Sequence, residues 1–177
     1  YMKSGTLVRQ VINTIEQDVD FNKSGDRHLF NDIYEKILSD LQSAGNAGEY
    51  YTPRAVTQFM VDILDPQLGQ TILDPACGTG GFLTCAIEHL NKQVKTADDR
   101  KRLQECIHGV EKKPLPHMLA MTNMMLHGID VPTNVRHDNT LSRPLKDYGP
   151  RDRVALIITN PPFGGMEEDG IENNFPR

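Results

Sequence analysis

No stretch of this chain comes near the roughly 20 consecutive apolar residues that a membrane-spanning helix needs, and its N-terminus carries no signal-peptide pattern. No membrane role is therefore expected. Cysteine is scarce. Cys77, Cys85 and Cys106 form no CxxC pair and are odd in number, which points to a reduced, cytoplasmic setting. The six histidines do not gather into ligand spacing, so no metal site is expected. Positive charge is also short, with 19 Lys and Arg against 24 Asp and Glu and a net charge of −5. A protein that grips nucleic acid unaided normally carries a basic surface. If DNA is a partner, most of the phosphate contact must come from elsewhere. There is no internal repeat and no low-complexity segment.

What remains is an ordinary globular composition, 38% apolar and 24% charged. At 177 residues there is room for one α/β core and a small helical addition. Residues 6–20 place Val8, Val11, Ile12, Ile15 and Val19 at helical spacing, and Phe30, Ile33, Tyr34, Ile37, Leu38 and Leu41 form a second stripe. Gly48-Glu-Tyr-Tyr-Thr-Pro-Arg54 reads as a loop entering a third helix, with Thr52 as N-cap and Pro53 at the first helical position. That helix carries Val56, Phe59, Met60, Ile63 and Leu64 on one side, and Asp65-Pro66 stops it.

From there strand and helix alternate. Thr71–Leu73 reads as a strand, Phe82–Val94 as a helix and Lys95–Arg102 as a charged, solvated segment. Ile107–Val110 is a second strand, followed by a helix through Met118, Leu119, Thr122, Met125 and Leu126. Asn134–His137 is a third strand. Val154–Thr159 is the fourth and most apolar, as a central strand buried on both faces should be. The pattern implies right-handed βαβ units in a doubly wound, Rossmann-like α/β sheet, with its ligand at the carboxyl ends of the strands. Four strands make only a partial sheet, so a piece of a longer protein is expected, inactive by itself.

Two loops carry the chemistry. In Asp74-Pro-Ala-Cys-Gly-Thr-Gly-Gly-Phe82, three glycines permit a tight turn and close approach of backbone N–H groups to a ligand. Asp74 at its head can orient a cationic or hydroxyl-bearing group, and Cys77 reads as a packing residue. The spacing is GxGG rather than the GxGxxG of nicotinamide-binding turns. Glu111 ends the second strand, where an acid can accept both ribose hydroxyls of a nucleoside, or else pair with Lys112 and Lys113. Asp138 and Asn139 follow the third strand and can meet an adenine edge, or simply form a turn.

The second loop, Asn160-Pro-Pro-Phe163, is the more specific. Pro161 and Pro162 stiffen the backbone. The Asn160 amide oxygen and the Pro161 carbonyl can then receive both hydrogens of an –NH2 group, drawing its lone pair out of conjugation and towards an electrophilic methyl. Phe163 offers a face for a flipped base. Together the loops read as an S-adenosylmethionine-dependent methyltransferase acting on an exocyclic amine.

With Gly48–Arg54 ahead of the glycine loop, these motifs resemble the modification (M) subunits of type I restriction-modification systems, over roughly residues 28–165. The resemblance implies transfer of methyl from S-adenosylmethionine to the N6 amino group of adenine in double-stranded DNA. It implies that Glu49, Tyr50, Tyr51, Thr52, Pro53 and Arg54 close over the cofactor. Asp74, with Ala76 and Gly78, Thr79 and Gly80, would hold its methionine part, Glu111 its ribose, and Asp138 with Asn139 its adenine. Asn160, Pro161, Pro162 and Phe163 would meet the target base. Residues 1–47 would be the end of an N-terminal helical domain, and 48–177 the N-terminal part of the catalytic domain. Partners would be a specificity (S) subunit, which reads the DNA, and a restriction (R) subunit. Other classes remain open. Glutamine N5 methylation of proteins uses a similar loop, usually with Tyr at the Phe163 position. Cytosine N4 methylation typically has Ser in place of the Asn. A fragment of this kind could also bind cofactor as a non-catalytic scaffold.

Overall fold

The computed structural model describes residues 4–18, 20, 33, 34, 36 and 52–176. Most of the second helical stripe and the loop residues 48–51, including Glu49, Tyr50 and Tyr51, lie outside the described residues. The chain divides into two compact units, Tyr1–Ala44 and Gly45–Arg177. In the first unit, helix α1 (Gly5–Asp18) follows from its apolar spacing, yet none of its residues is buried.

The second unit begins with α2 (Arg54–Leu64). Pro53 is its N-cap, with φ −54° and ψ 139°, rather than its first helical residue. The Pro53 carbonyl accepts the Val56 and Thr57 amides. Thr52 therefore does not cap the helix. The helix ends at Asp65, held in the left-handed region at φ 43°, with Pro66 following.

Four parallel strands form one sheet: β1 (Ile72–Asp74), β2 (Ile107–Glu111), β3 (Val135–His137) and β4 (Leu156–Ile157). Their spatial order is β3-β2-β1-β4. The register pairs Ile72 with Ile107 and Leu156, and Gly109 with Val135. Helices α3 (Gly81–Asn91) and α4 (Ala97–Cys106) connect β1 to β2, and α5 (Pro114–Leu126) connects β2 to β3. The chain thus steps outward from β1 to β3 and returns to lay β4 on the other side of β1. That reversal is the switch point at which doubly wound sheets place their ligand.

The core lies between the sheet and its helices. Ile72 and Ile107 pack with Leu83, Ile87 and Leu90 of α3, Leu103 of α4, and Ala120 and Met124 of α5, all buried. Gly109 explains how close α3 comes. A Cβ there would stand 2.9 Å from Leu83 Cδ1 and 3.1 Å from Cys77 Sγ. The alternate face is more open: Leu73, aligned with His108 and Ile157, is only partly buried, and Ile157 is 59% exposed.

Two elements differ from their sequence patterns. The segment read as solvated is exposed as expected, but from Ala97 it is helical. Thr96 accepts the Asp99 amide, and Asp99 accepts the Thr96 amide in return, a capping box that outweighs the lack of an apolar stripe. The fourth strand, expected to span six residues in the centre of a sheet, is two residues long and forms its edge. Its apolar composition suits burial on both faces, but only Ile158 at its end is buried, because one face and one edge have no covering element among the described residues.

Candidate functional site

A parallel sheet brings every strand's carboxyl end to one edge, so the candidate residues gather there. Asp74 ends β1, Glu111 ends β2, Asp138 follows β3, and Asn160 lies just beyond β4.

The glycine turn is fixed from beneath. Gly78 (φ 54°) and Gly80 (φ 88°) occupy the left-handed region that glycine alone adopts cheaply. The Gly80 amide donates to the Cys77 carbonyl at 2.8 Å, and the Cys77 amide donates to Val110 of β2 at 3.0 Å. Asn123 of α5, buried within the helix layer, donates through Nδ2 to the Thr79 carbonyl at 3.1 Å. Cys77 belongs to the core. Burial, with Asp74 and Glu111 nearby, pushes its thiol far above the usual range, which leaves it inert as a nucleophile.

Asp74 is 1% exposed, and its Oδ1 accepts the Ala76 amide at 3.1 Å. Burial pushes its carboxyl up to about 6. The neighbouring Thr159 hydroxyl and the Ala76 amide pull the other way, while the Glu111 charge adds to the rise. The Thr159 hydroxyl is itself buried beside Asp74, without a hydrogen bond of normal length and angle among the described residues. A buried carboxyl raised to about 6 suits a cationic ligand, which would ionise it.

Glu111 is already half used. Its Oε2 accepts the Gly78 amide at 2.9 Å and its Oε1 the Lys113 amide at 2.7 Å. A carboxylate has about four acceptor positions, so one on each oxygen remains for a pair of hydroxyls. The sequence left open an ion pair of Glu111 with Lys112 or Lys113. Lys112 Nζ instead meets Glu167 at 2.7 Å.

Asp138 donates its amide to the Glu111 carbonyl at 3.1 Å, which ties the β3 loop to the end of β2. The Asn139 side chain is engaged within the protein: Oδ1 accepts the Leu141 amide and Nδ2 donates to Glu167 at 2.8 Å. Glu167 lies on the segment after the Asn-Pro-Pro-Phe loop. That segment therefore returns to the β2–β3 end of the sheet, where Asn174 also donates to the Leu141 and Ser142 carbonyls.

Asn160 is half-buried, and its Nδ2 donates to Thr52 Oγ1 at 3.0 Å, a bond between residues 108 positions apart. This leaves the amide oxygen directed to the other side. Pro161, Pro162 and Phe163 are exposed, Phe163 by 82%. Pro53 caps α2, and Arg54 has Glu88 of α3 among its partners, at 2.5 Å. The structure thus brings together Asp74, the glycine turn, Glu111, Asp138 and Asn139, and separately Thr52 with Asn160. The two groups meet through Thr159, next to Asn160 and beside Asp74. A hollow of about 420 Å³ lined by Leu145, Tyr148 and Arg153, and another of about 280 Å³ lined by Gly69, Thr71 and Arg102, contain none of these residues.

Sequence reasoning passed over Asn123, Thr159 and Glu167. Asn123 had a signal, being a polar residue on the inner side of an apolar helix. The other two had none, since an edge-strand threonine and a loop glutamate are unremarkable until the fold places them.

The reversal at β1, the glycine turn and the acids that end β1 and β2 define an α/β fold of the methyltransferase type. An S-adenosylmethionine-dependent class I methyltransferase structure from Listeria monocytogenes shares that fold, with a TM-score of 0.67 over 90% of this chain and 46% of its own, at 20% identity. The N-6 DNA methylase family profile matches residues 25–177, and the chain belongs to that family. It is 64% identical to the type I restriction enzyme EcoEI methylase subunit of Escherichia coli, over 99% of this chain and 36% of that protein. A crystal structure of a modification subunit from Vibrio vulnificus YJ016 superposes with a TM-score of 0.83 at 49% identity, over 96% of this chain and 35% of its own. The chain thus spans about a third of the length of the relatives it matches.

Proposed function

We propose that this chain is the cofactor-binding and catalytic-loop part of a type I methylase subunit, which transfers methyl from S-adenosylmethionine to the N6 amino group of adenine in double-stranded DNA. The observation that carries the reading is the adjacency of two strand ends. Asp74 and Asn160 leave neighbouring parallel strands paired through Leu73 and Ile157, so the cofactor turn and the amine-binding loop open on the same crevice. Residues 48–177 form the N-terminal part of the catalytic domain, and residues 1–47 the end of a helical domain before it. The specificity subunit supplies the sequence reading and most of the phosphate contact, which suits a chain with a net charge of −5. The restriction subunit joins the same assembly, and the setting is the cytoplasm.

S-Adenosylmethionine supplies an electrophilic methyl group on a sulfonium. Asp74, ionised by the positive charge brought beside it, binds the ammonium end. Gly78 to Gly80 keep side chains out of its path, with Ala76 and Thr79 in the same turn. Glu49, Tyr50, Tyr51, Pro53 and Arg54 would flank it, while Thr52 in the same stretch is bonded to Asn160. Glu111 would accept the ribose hydroxyls on its remaining lone pairs, and Asp138 with Asn139 would border the adenine. At the other side of the crevice, Asn160 Oδ1 and the Pro161 carbonyl accept the two hydrogens of the target amine. Pro162 holds that carbonyl in place, and Phe163 stacks on the extruded base. This pulls the nitrogen lone pair out of the ring and aims it. Bound S-adenosylmethionine would supply the methyl that this nitrogen takes up, and one amine proton would leave to solvent, so no strong base would be required.

The test is transfer of labelled methyl to unmethylated duplex DNA by the full-length subunit with its specificity partner, followed by identification of the modified base. N6-methyladenine is the expected product. Label on protein glutamine or on cytosine would replace this reading.

A further inference from the structure

We infer that Thr52 is a positioning residue for Asn160: its hydroxyl holds the Asn160 amide with Nδ2 inward and Oδ1 towards the target amine. The inference rests on the proposed amine methylation and deepens it. It also gives Thr52 a different task from that of a cofactor contact or helix cap.

Three observations support it. First, Pro53 caps α2 through its own carbonyl, so the Thr52 hydroxyl is not used by the helix beside it. Second, the bond from Asn160 Nδ2 to Thr52 Oγ1, at 3.0 Å, is the only hydrogen bond of the Asn160 side chain among the described residues. Third, the backbone around Asn160 is stiff on its C-terminal side and weakly held on the other. Pro161 and Pro162 follow it, while β4 before it has only two residues in the ladder and lies at the sheet edge.

The remaining freedom at Asn160 is rotation of its side chain. A swing of the amide away from Thr52 takes Oδ1 off the target amine and leaves the Pro161 carbonyl alone to accept one of its hydrogens. Thr52 opposes that swing by holding the inner end of the amide, which fixes its plane. Because Thr52 immediately precedes the α2 cap, the loop that flanks the cofactor and the loop that receives the base are joined at this bond.

The experiment uses the full-length subunit assembled with its specificity partner, in wild type, Thr52→Val and Thr52→Ser forms. Valine keeps the shape of threonine and removes the hydroxyl, whereas serine keeps the hydroxyl. Single-turnover methyl transfer should fall about tenfold in Thr52→Val, the size of effect expected for losing one orienting hydrogen bond. Its S-adenosylmethionine Kd, measured by calorimetry, and its DNA KM should stay within about twofold of wild type, and Thr52→Ser should recover most of the rate. A wild-type rate in Thr52→Val overturns the inference. So does a rate loss matched by an equal loss of cofactor affinity, which would make Thr52 a cofactor ligand. Failure of serine to restore the rate overturns it as well, since the hydroxyl would then not be the working group. If the wild-type complex transfers no methyl to adenine, the functional reading fails, and the inference with it.

Discussion

The glycine turn and the Asn-Pro-Pro-Phe loop face the same crevice but are built in opposite ways. The turn is anchored in the core: Asp74 and Cys77 are buried, Asn123 holds the Thr79 carbonyl, and Gly109 leaves room for α3 to close beneath. The Asn-Pro-Pro-Phe loop follows an edge strand, exposes Phe163 by 82%, and has one side-chain hydrogen bond at Asn160 among the described residues. On the proposed reading, binding and reaction depend on different parts of the fold. Cofactor binding would be tied to core stability, whereas transfer could be lost without unfolding anything.

The sharpest way to break that comparison is at Asn160. Asn160→Ala in the full-length complex should lower methyl transfer at least about a hundredfold, in line with losing a preorganised electrostatic group at a reacting centre. Calorimetric affinity for S-adenosylmethionine and the thermal midpoint should stay nearly unchanged, since the Asn160 side chain has one hydrogen bond among the described residues, to Thr52 rather than to the turn. Full activity in this variant would remove its assigned role. A large loss of stability would show that the loop is more deeply anchored than it looks.

Asp74 sharpens the other side. Its carboxyl, raised to about 6 by burial, is neutral in acid and must ionise to meet a cationic ligand. Affinity for S-adenosylmethionine should be level above about pH 7 and fall as the pH drops through 6, approaching about tenfold per unit well below it. Asp74→Asn should bind weakly and with a flat profile. The fold responds in the opposite sense. The folded state holds this proton more tightly than the unfolded chain does, so Asp74 costs stability as pH rises from 3.8 to about 6. Denaturation of Asp74→Asn should therefore show less loss of stability across that interval than wild type. A wild-type profile of cofactor affinity in the variant would show that another group titrates.

The same contrast explains what the sequence made legible. The turn could be read because its fold imposes the residues that its proposed function needs: glycines where φ is positive, an acid ending a β-branched run, and apolar spacing in the helix that follows. The alternation of strands and helices was legible for the same reason. The residues of the Asn-Pro-Pro-Phe loop suggest a role through their chemistry, but the support of the loop was not legible. Thr52 reads as a cap from its neighbours, and only the fold brings it across 108 positions to Asn160. The length of β4 was overread because apolar content records the burial a strand is suited to, and here the sheet ends at that strand. Helix α4 was missed because a charged segment was judged by its surface, although Thr96 and Asp99 carry a local start signal that needs no core.

The smallest expected effects compare the two regions by stability alone. Gly109→Ala puts a methyl 2.9 Å from Leu83 Cδ1, inside the layer that supports the glycine turn, and overpacking of this kind costs about 1–3 kcal/mol. Phe163→Ala removes a larger group from a position that is 82% exposed. Its cost should stay within about 0.5 kcal/mol, as for surface changes generally. Urea denaturation of the two variants beside wild type measures both. The added methyl should lower the midpoint visibly and the lost ring should not, even though the ring is the larger change and the one expected to weaken DNA methylation. Equal losses would mean that the catalytic loop is packed as firmly as the turn, and that binding and transfer fail together.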